Sequence, residues 1–251
     1  MKDLNPVNSL SAYVTAILEI TRQWEAHEYS FRPWCRGQSS SDWRLVPTIY
    51  RPEHSAFDED TLRWDFKIRA GPFLGPTGFT PVDDWDWYFL MQHYGVPTRL
   101  LDWTESPLFA LYFAVRGAGE NATPADWVMD PWSLNEASGF GSCLLDTGQV
   151  DKYLPPSGVK GIPKGPAALQ PPLRSMRLVA QKSTFTIHGT ANVPIDEIPS
   201  LGERLVRIKV GPKLAPVIKD ELFRMGVSET SVFPELSSLT KDLLDYWRGL
   251  R

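Results

Sequence analysis

Leu10, Val14, Ile17, Leu18 and Trp24 recur at intervals of three and four behind Asn8 and Ser9, either of which can cap, so a helix is expected from about residue 10. "YSFRPWCRGQSSSDWRLVPTIYR" is too rich in Pro, Ser and Gly for a helix; it reads as a short strand ending at Gly37, then a polar loop, with Arg36 at the strand end. A second helix is predicted from near Asp58 through Leu62 and Phe66. A third covers "DDWDWYFLMQHYG", with Asp83 as cap, His93 in the last turn and Gly95 as stop. "VPTRLLDWTES" is extended or irregular, because Pro97 holds Val96 out of the helical region. Ser106 followed by Pro107 then opens the nearly all-apolar "PLFALYFAVR", a buried helix with serine as cap.

Farther on, "DWVMD" predicts a strand and "PWSLN" a short helix or turn. From Leu154 to Pro172, six prolines interrupt any periodicity, which predicts a surface loop or a boundary between halves. Order returns in "MRLVAQKSTFTI" and in "RLVRIKV", where Val206, Ile208 and Val210 alternate as on a half-buried strand. A helix near Val217 to Met225, a turn at Gly226, a strand around "SVF" and an amphipathic terminal helix carrying Leu236, Leu239, Leu243 and Trp247 complete the pattern. Strands and helices mingle without regular βαβ alternation. The expected class is α+β, a mixed or split β-sheet core with flanking helices. As domains, the pattern divides into an N-terminal helix over residues 1–30 and one unit over 31–251.

Composition narrows the chemistry. A formal net charge of −4 over 251 residues gives no general attraction to nucleic acid or anionic membrane, though a local basic groove is compatible with it. The start "MKDLNPVNSL" lacks a signal-peptide pattern, and no window is apolar for long enough to span a bilayer; a cytoplasmic protein with reduced Cys35 and Cys143 is expected, with no membrane partner. His27, His54, His93 and His188 have no metal-ligand spacing with the cysteines or each other, so no metal is expected. GxGxxG, GxxxxGK[ST] and GxSxG are all missing from the sequence, which argues against a Rossmann site, a P-loop and a hydrolase elbow. Nor does a carboxylate cluster suited to a two-metal nuclease occur.

One stretch concentrates polar groups of different hydrogen-bonding geometry: "QHYGVPTRLLDWTESPLFALYFA". Together with "CRGQSSSDWRLVPTIYR" and "SVFPEL", it resembles the FRG domain, a bacterial and phage domain named for a Phe/Tyr-Arg-Gly signature, with Cys35 here in the aromatic position. The resemblance runs from about Phe31 to the terminal helix.

At a second level, the family looks like a distant relative of ADP-ribosyltransferases, with an arginine on the first strand, a hydroxyl strand entering an apolar helix, and a late acidic residue. Arg36-Gly37 matches the arginine motif, and Thr104-Glu105-Ser106 before "PLFALYFA" resembles the hydroxyl strand. Glu105 replaces the middle Thr, Trp103 precedes the motif, and no Glu-x-Glu pair follows. Ser183-Thr184 is an alternative register; the late polar residue is Glu235 or Gln181.

The resemblance implies NAD as substrate. Arg36 would hold its pyrophosphate, Thr104 and Ser106 would bond the nicotinamide ribose or fix the strand presenting it, Arg99 and Gln181 would add further cofactor contacts, and Trp103, Trp43 or Tyr94 would stack on a planar ring. Asp102 or Glu235 would stabilise an oxocarbenium-like sugar, and His93 would act as base or ribose contact. Each has a structural alternative: Arg36 pairing with Asp102, Arg99 pairing with Asp102, His93 meeting a helix dipole, Ser106 capping, Trp103 packing in the core, and Glu235 favoured at a helix start. The functional expectation is an NAD-binding ADP-ribosyltransferase-like enzyme or NAD glycohydrolase, a toxin or antiphage effector acting on a protein or nucleic acid. The alternative is a noncatalytic module recognising a nucleotide or phage component through the same pocket.

Overall fold

Residues 1–24, 32–75, 80–154 and 162–249 are described by the structure, a computed structural model. Seven strands form one mixed sheet: β1 (Lys2–Val7), β2 (Trp34–Gln38), β3 (Leu100–Thr104), β4 (Ala125–Met129), β5 (Ala167–Leu169), β6 (Ser183–Ile187) and β7 (Leu205–Val210). Their spatial order is β1-β7-β4-β2-β3-β6-β5. β1 runs parallel to β7, and every other pair is antiparallel. The α+β class with a mixed sheet therefore holds.

The ladder is uneven. β2 pairs with β4 at all five of its residues, from Trp34↔Met129 to Gln38↔Ala125, and β3 pairs with β6 at five. Between β2 and β3 only Cys35↔Thr104 is joined. The sheet thus consists of two halves that touch at one residue pair and part beyond it.

Helices cover one face of each half. Buried side chains of α1 (Leu10–Trp24), α4 (Pro107–Arg116) and α7 (Ala215–Arg224) pack on Val7, Cys35, Val128, Val206, Ile208 and Val210. On the other half, Trp85, Tyr88, Phe89 and Met91 of α3 (Asp84–His93) pack on Leu100, Leu169, Phe185 and Ile187. The opposite face of the sheet carries a third cluster built on Trp34, Leu101, Trp103, Trp127 and Leu205, joined by Leu134 of α5 (Pro131–Ala137).

Gly37 explains how closely the first half is packed. A Cβ there would lie 1.8 Å from the Ala110 carbonyl oxygen and 2.5 Å from the Ala114 nitrogen, both backbone atoms of α4. Only glycine lets α4 lie directly on β2.

Local signals in the sequence mostly matched local structure. Asp58 caps α2 (Glu59–Leu74) by accepting from the Thr61 N–H at 2.7 Å, and Asp83 caps α3 by accepting from Asp86 N–H at 2.8 Å. Gly95 takes φ +78° where the chain leaves α3. Four expectations need correction. α1 buries Tyr13, Ile17, Ile20 and Trp24, whereas Val14 and Leu18 are exposed. β1 was not predicted; Pro6 and its polar neighbours hide it, and Pro6 is tolerated because β1 is an edge strand.

The proline-rich segment contains β5, whose three residues are buried against β6, so it is not wholly a surface loop. Pro155 and Pro156 of that segment, like His27, lie outside the described residues. Finally, "SVF" is not a strand. Ser231 and Val232 belong to the short helix α8 (Glu229–Val232), locked by a Ser228–Ser231 capping box and by Asp242, which accepts from the Glu229 and Thr230 N–H groups. Asp242 belongs to the terminal helix α9 (Leu236–Gly249).

Candidate functional site

Where β2 and β3 part, a cavity of about 620 Å³ opens. Its walls come from β2 (Arg36, Gln38), β3 (Asp102, Thr104), α3 (Gln92, His93), α4 (Phe113, Arg116), β6 (Ser183, Phe185) and the short helix α6 (Met176–Ala180) with Gln181 after it. Arg36 spans the gap: Nη1 donates to the Asp102 carbonyl at 2.6 Å and lies 4.0 Å from Asp102 Oδ2. Its side chain is 16% exposed, and its buried Nε has no hydrogen-bond partner. Burial lowers its pKa to about 10, with Asp102 opposing the shift and Arg51 adding to it; the guanidinium stays charged at neutral pH.

Asp102 is presented from below. Its side chain is 57% exposed, and Oδ2 accepts from Gln92 Nε2 at 2.6 Å, while the Thr98 hydroxyl donates to Gln92 Oε1 at 2.5 Å. That relay fixes both the amide orientation of Gln92 and the direction of the carboxylate. His93 stands beside it with Nε2 3.4 Å from Arg177 Nη1. Burial and the Arg177 charge lower the His93 pKa, against the pull of Glu235 and Asp102, so the ring is neutral at pH 7.

Thr104 is buried and its hydroxyl is committed, donating to the Gln181 carbonyl at 2.6 Å and accepting from the Ser106 N–H at 3.0 Å. Gln181 lines the cavity with a buried, unpartnered Nε2. The two hydroxyl registers converge: Ser183 pairs with Thr104 across β3 and β6, and Thr184 with Trp103.

The remaining candidates are placed differently or are committed to other partners. Arg99 is buried in an ion pair with Glu59 at 2.7 Å and also donates to the Tyr153 carbonyl; it lines a different cavity, against the end of α2. Glu59, and not Asp102, is its carboxylate partner. Trp103 is among the residues that line the first cavity, but its side chain packs in the third core cluster and donates to Thr186 Oγ1 at 3.1 Å, so its ring is not a free stacking surface. Ser106 occupies the start of α4 without a side-chain cap bond and is outside the cavity lining. Glu235 is exposed on the rim of a neighbouring cavity of about 360 Å³, which shares Phe89, His93, Arg177 and Leu178 with the first. Of the exposed aromatics, Trp43 lines the first cavity and Tyr94 the second.

Several contributors escaped the sequence reading. Arg51, Arg116 and Arg177 line the cavity, and Gln92 orients Asp102. His188 is buried near Arg36 with an unpartnered Nε2, and burial together with the Arg36 charge takes its pKa to about 3. Gln92 lay in the polar stretch itself. The three arginines come from separate loops and helices and had no shared motif to expose them.

Residues 32–123 match the family model described as FRG domain. Over this segment the chain is similar to the FRG domain family. The segment contains Arg36, Gly37, Arg51, Gln92, His93, Asp102, Thr104 and Arg116, while Arg177, Gln181 and Glu235 lie beyond it. The matched segment thus supplies one side of the cavity and the later chain the other. No curated protein and no solved structure matches the chain. Among the described residues, no helix is long and apolar enough to cross a membrane.

Proposed function

We propose that the cavity binds NAD and that the protein is an ADP-ribosyltransferase-like enzyme, a toxin or defence effector that modifies a protein or nucleic acid. The observation that carries this reading is Arg36: a largely buried guanidinium in the gap between the sheet halves, anchored through Nη1 and with Nε unpartnered. A dinucleotide pyrophosphate is a ligand for such a fork, since arginine donates bidentately and stays charged. Arg51, Arg116 and Arg177 line the same space, giving it an anion-binding character that the net charge of −4 conceals.

NAD would supply a C1′–N bond whose breakage sends the electron pair to the nicotinamide ring and leaves a cationic sugar for the acceptor to attack. Asp102, directed by Gln92, would face that cation. Neutral His93 would take the proton that the acceptor loses. Gln181 Nε2 is a free amide donor for a ribose or carboxamide oxygen.

A second reading, a noncatalytic nucleotide-recognition module, is favoured by one fact: Glu235 is exposed at the neighbouring cavity, leaving Asp102 as the carboxylate among the residues lining the first. Nicotinamide release by wild type and Arg36→Ala, with and without lysate as acceptor source, separates the two. The enzyme reading expects release by wild type and its loss in the variant. NAD binding with no release under any condition would establish the recognition module, and no NAD binding at all would refute both nucleotide assignments.

A further inference from the structure

Two of the cavity arginines share one aromatic ring. The Arg116 guanidinium lies 4.6 Å from the Phe233 ring centroid and that of Arg177 lies 4.8 Å from it. Phe233 is held edge-on by Phe113, at 5.7 Å between centroids, and follows directly on α8. α8 is fixed in turn, because Glu229 accepts from the Tyr112 hydroxyl and Arg116 Nη2, each at 2.6 Å, and from Lys241 Nζ at 2.9 Å. The ring is therefore a rigid platform that brings two cations together.

The charges on this platform are unequal. Arg116 is matched by Glu229. Arg177 is half-buried, and its hydrogen-bond contact is the 3.4 Å approach to His93 Nε2; among the described residues no carboxylate lies within ion-pair distance of it. A desolvated guanidinium facing another cation is unfavourable until an anion arrives. The four arginines also fall into two sets: Arg36 feels the charge of Arg51, and Arg177 feels that of Arg116; Asp102 acts on one member of each, and Glu235 acts on Arg177 as well, but burial still outweighs both carboxylates there.

We propose that Arg116 and Arg177, ranged on Phe233, form a second phosphate-binding subsite beside that of Arg36. The inference rests on the nucleotide reading of the cavity but does not require that NAD be cleaved. The phosphate is either the second phosphate of a dinucleotide's pyrophosphate, whose first rests on Arg36, or belongs to a second, phosphate-bearing substrate entering by the neighbouring cavity, which shares Arg177 and His93. Planar guanidinium donors held in fixed positions suit either phosphate.

The test is calorimetric titration of wild type, Arg177→Gln and Phe233→Leu with inorganic pyrophosphate, ADP-ribose and AMP, with thermal melts to verify folding. Arg177→Gln leaves no carboxylate unpaired, so it is the primary variant. Pyrophosphate affinity is expected to fall about tenfold in Arg177→Gln, as for loss of one charge-assisted contact, and to fall also in Phe233→Leu although no charge is removed. A parallel loss for ADP-ribose assigns the phosphate to the dinucleotide. Unchanged ADP-ribose binding, with AMP binding to the ADP-ribose-saturated wild type but not to Arg177→Gln, assigns it to a second substrate. Wild-type binding of pyrophosphate and AMP by Arg177→Gln would overturn the subsite, even if nicotinamide were released. Arginine-dependent pyrophosphate binding without nicotinamide release would keep the subsite and remove the NAD reading.

Discussion

Asp126 and His188 are both fully buried and titrate in opposite senses, which gives the fold a pH dependence that can be dissected. Tyr13 Oη lies 2.8 Å from the Pro107 carbonyl oxygen and 2.6 Å from Asp126 Oδ2. A phenol has one proton, so both contacts are hydrogen bonds only if the Asp126 carboxyl supplies the second. Burial agrees, raising its pKa from 3.8 to about 7. Between those values the unfolded chain loses a proton that the folded state keeps, so this group's contribution to stability falls as pH rises and is constant above about 7. At about 1.4 kcal/mol per pH unit, the whole effect is about 4 kcal/mol.

His188, lowered from 6.5 to about 3, does the reverse: its contribution falls as pH drops through that interval, by about 5 kcal/mol in total. The two slopes nearly cancel in wild type between about pH 4 and 6.5. Asp126→Asn keeps a donor toward Tyr13 and removes one slope; His188→Gln removes the other. Urea unfolding of all three proteins at half-unit steps from pH 4.5 to 7.5 measures the differences. The stability of Asp126→Asn relative to wild type should rise by about 2–3 kcal/mol from pH 5 to 7, and that of His188→Gln should fall by about 2 kcal/mol from pH 5 to 6.5. Differences that stay constant within roughly 0.5 kcal/mol would show that neither group is held in the protonation state its burial dictates.

Gly37→Ala drives a methyl group into the α4 backbone and should cost about 3 kcal/mol or more, lowering the melting temperature by about 10 °C or preventing folding; circular dichroism decides. Arg99→Ala leaves Glu59 buried without its partner and should destabilise by about 3–5 kcal/mol, while ADP-ribose affinity, measured by calorimetry under folding conditions, stays within about twofold because Arg99 lies outside the cavity. Gln92→Ala releases Asp102 from its orienting amide; under the enzyme reading, kcat for nicotinamide release should drop about tenfold or more with KM little changed.

Local structure was legible wherever a short-range rule governed it. Asp58 and Asp83 capped their helices, Gly95 ended α3, and Val206, Ile208 and Val210 alternated into the core, since each depends on neighbours within a few residues. The polar stretch from Gln92 to Ser106 likewise pointed to the cavity, to which it contributes Gln92, His93, Asp102 and Thr104. Long-range competition decided the rest. "SVF" has strand composition, yet Asp242 and the Tyr112–Arg116–Glu229 network hold it as a helix. "AAL" sits in a proline-rich segment, yet the open edge of β6 recruits it.

The same division runs through the site. Arg36, Gly37 and Asp102 were visible because their motifs are compact, but nothing local reveals that β2 and β3 join at one pair and then separate, turning a strand arginine into a cavity arginine. Arg99 and Asp102, three residues apart in one motif, face different partners, the first committed to Glu59 and the second to the cavity. Arg116 and Arg177 become neighbours only through the ring of Phe233, far along the chain from both. A sequence specifies which groups are charged, which segments can cap or alternate, and which stretches are dense in chemistry. Which of those charges face the same space depends on strand order and helix packing, and those are set by burial summed over the whole chain.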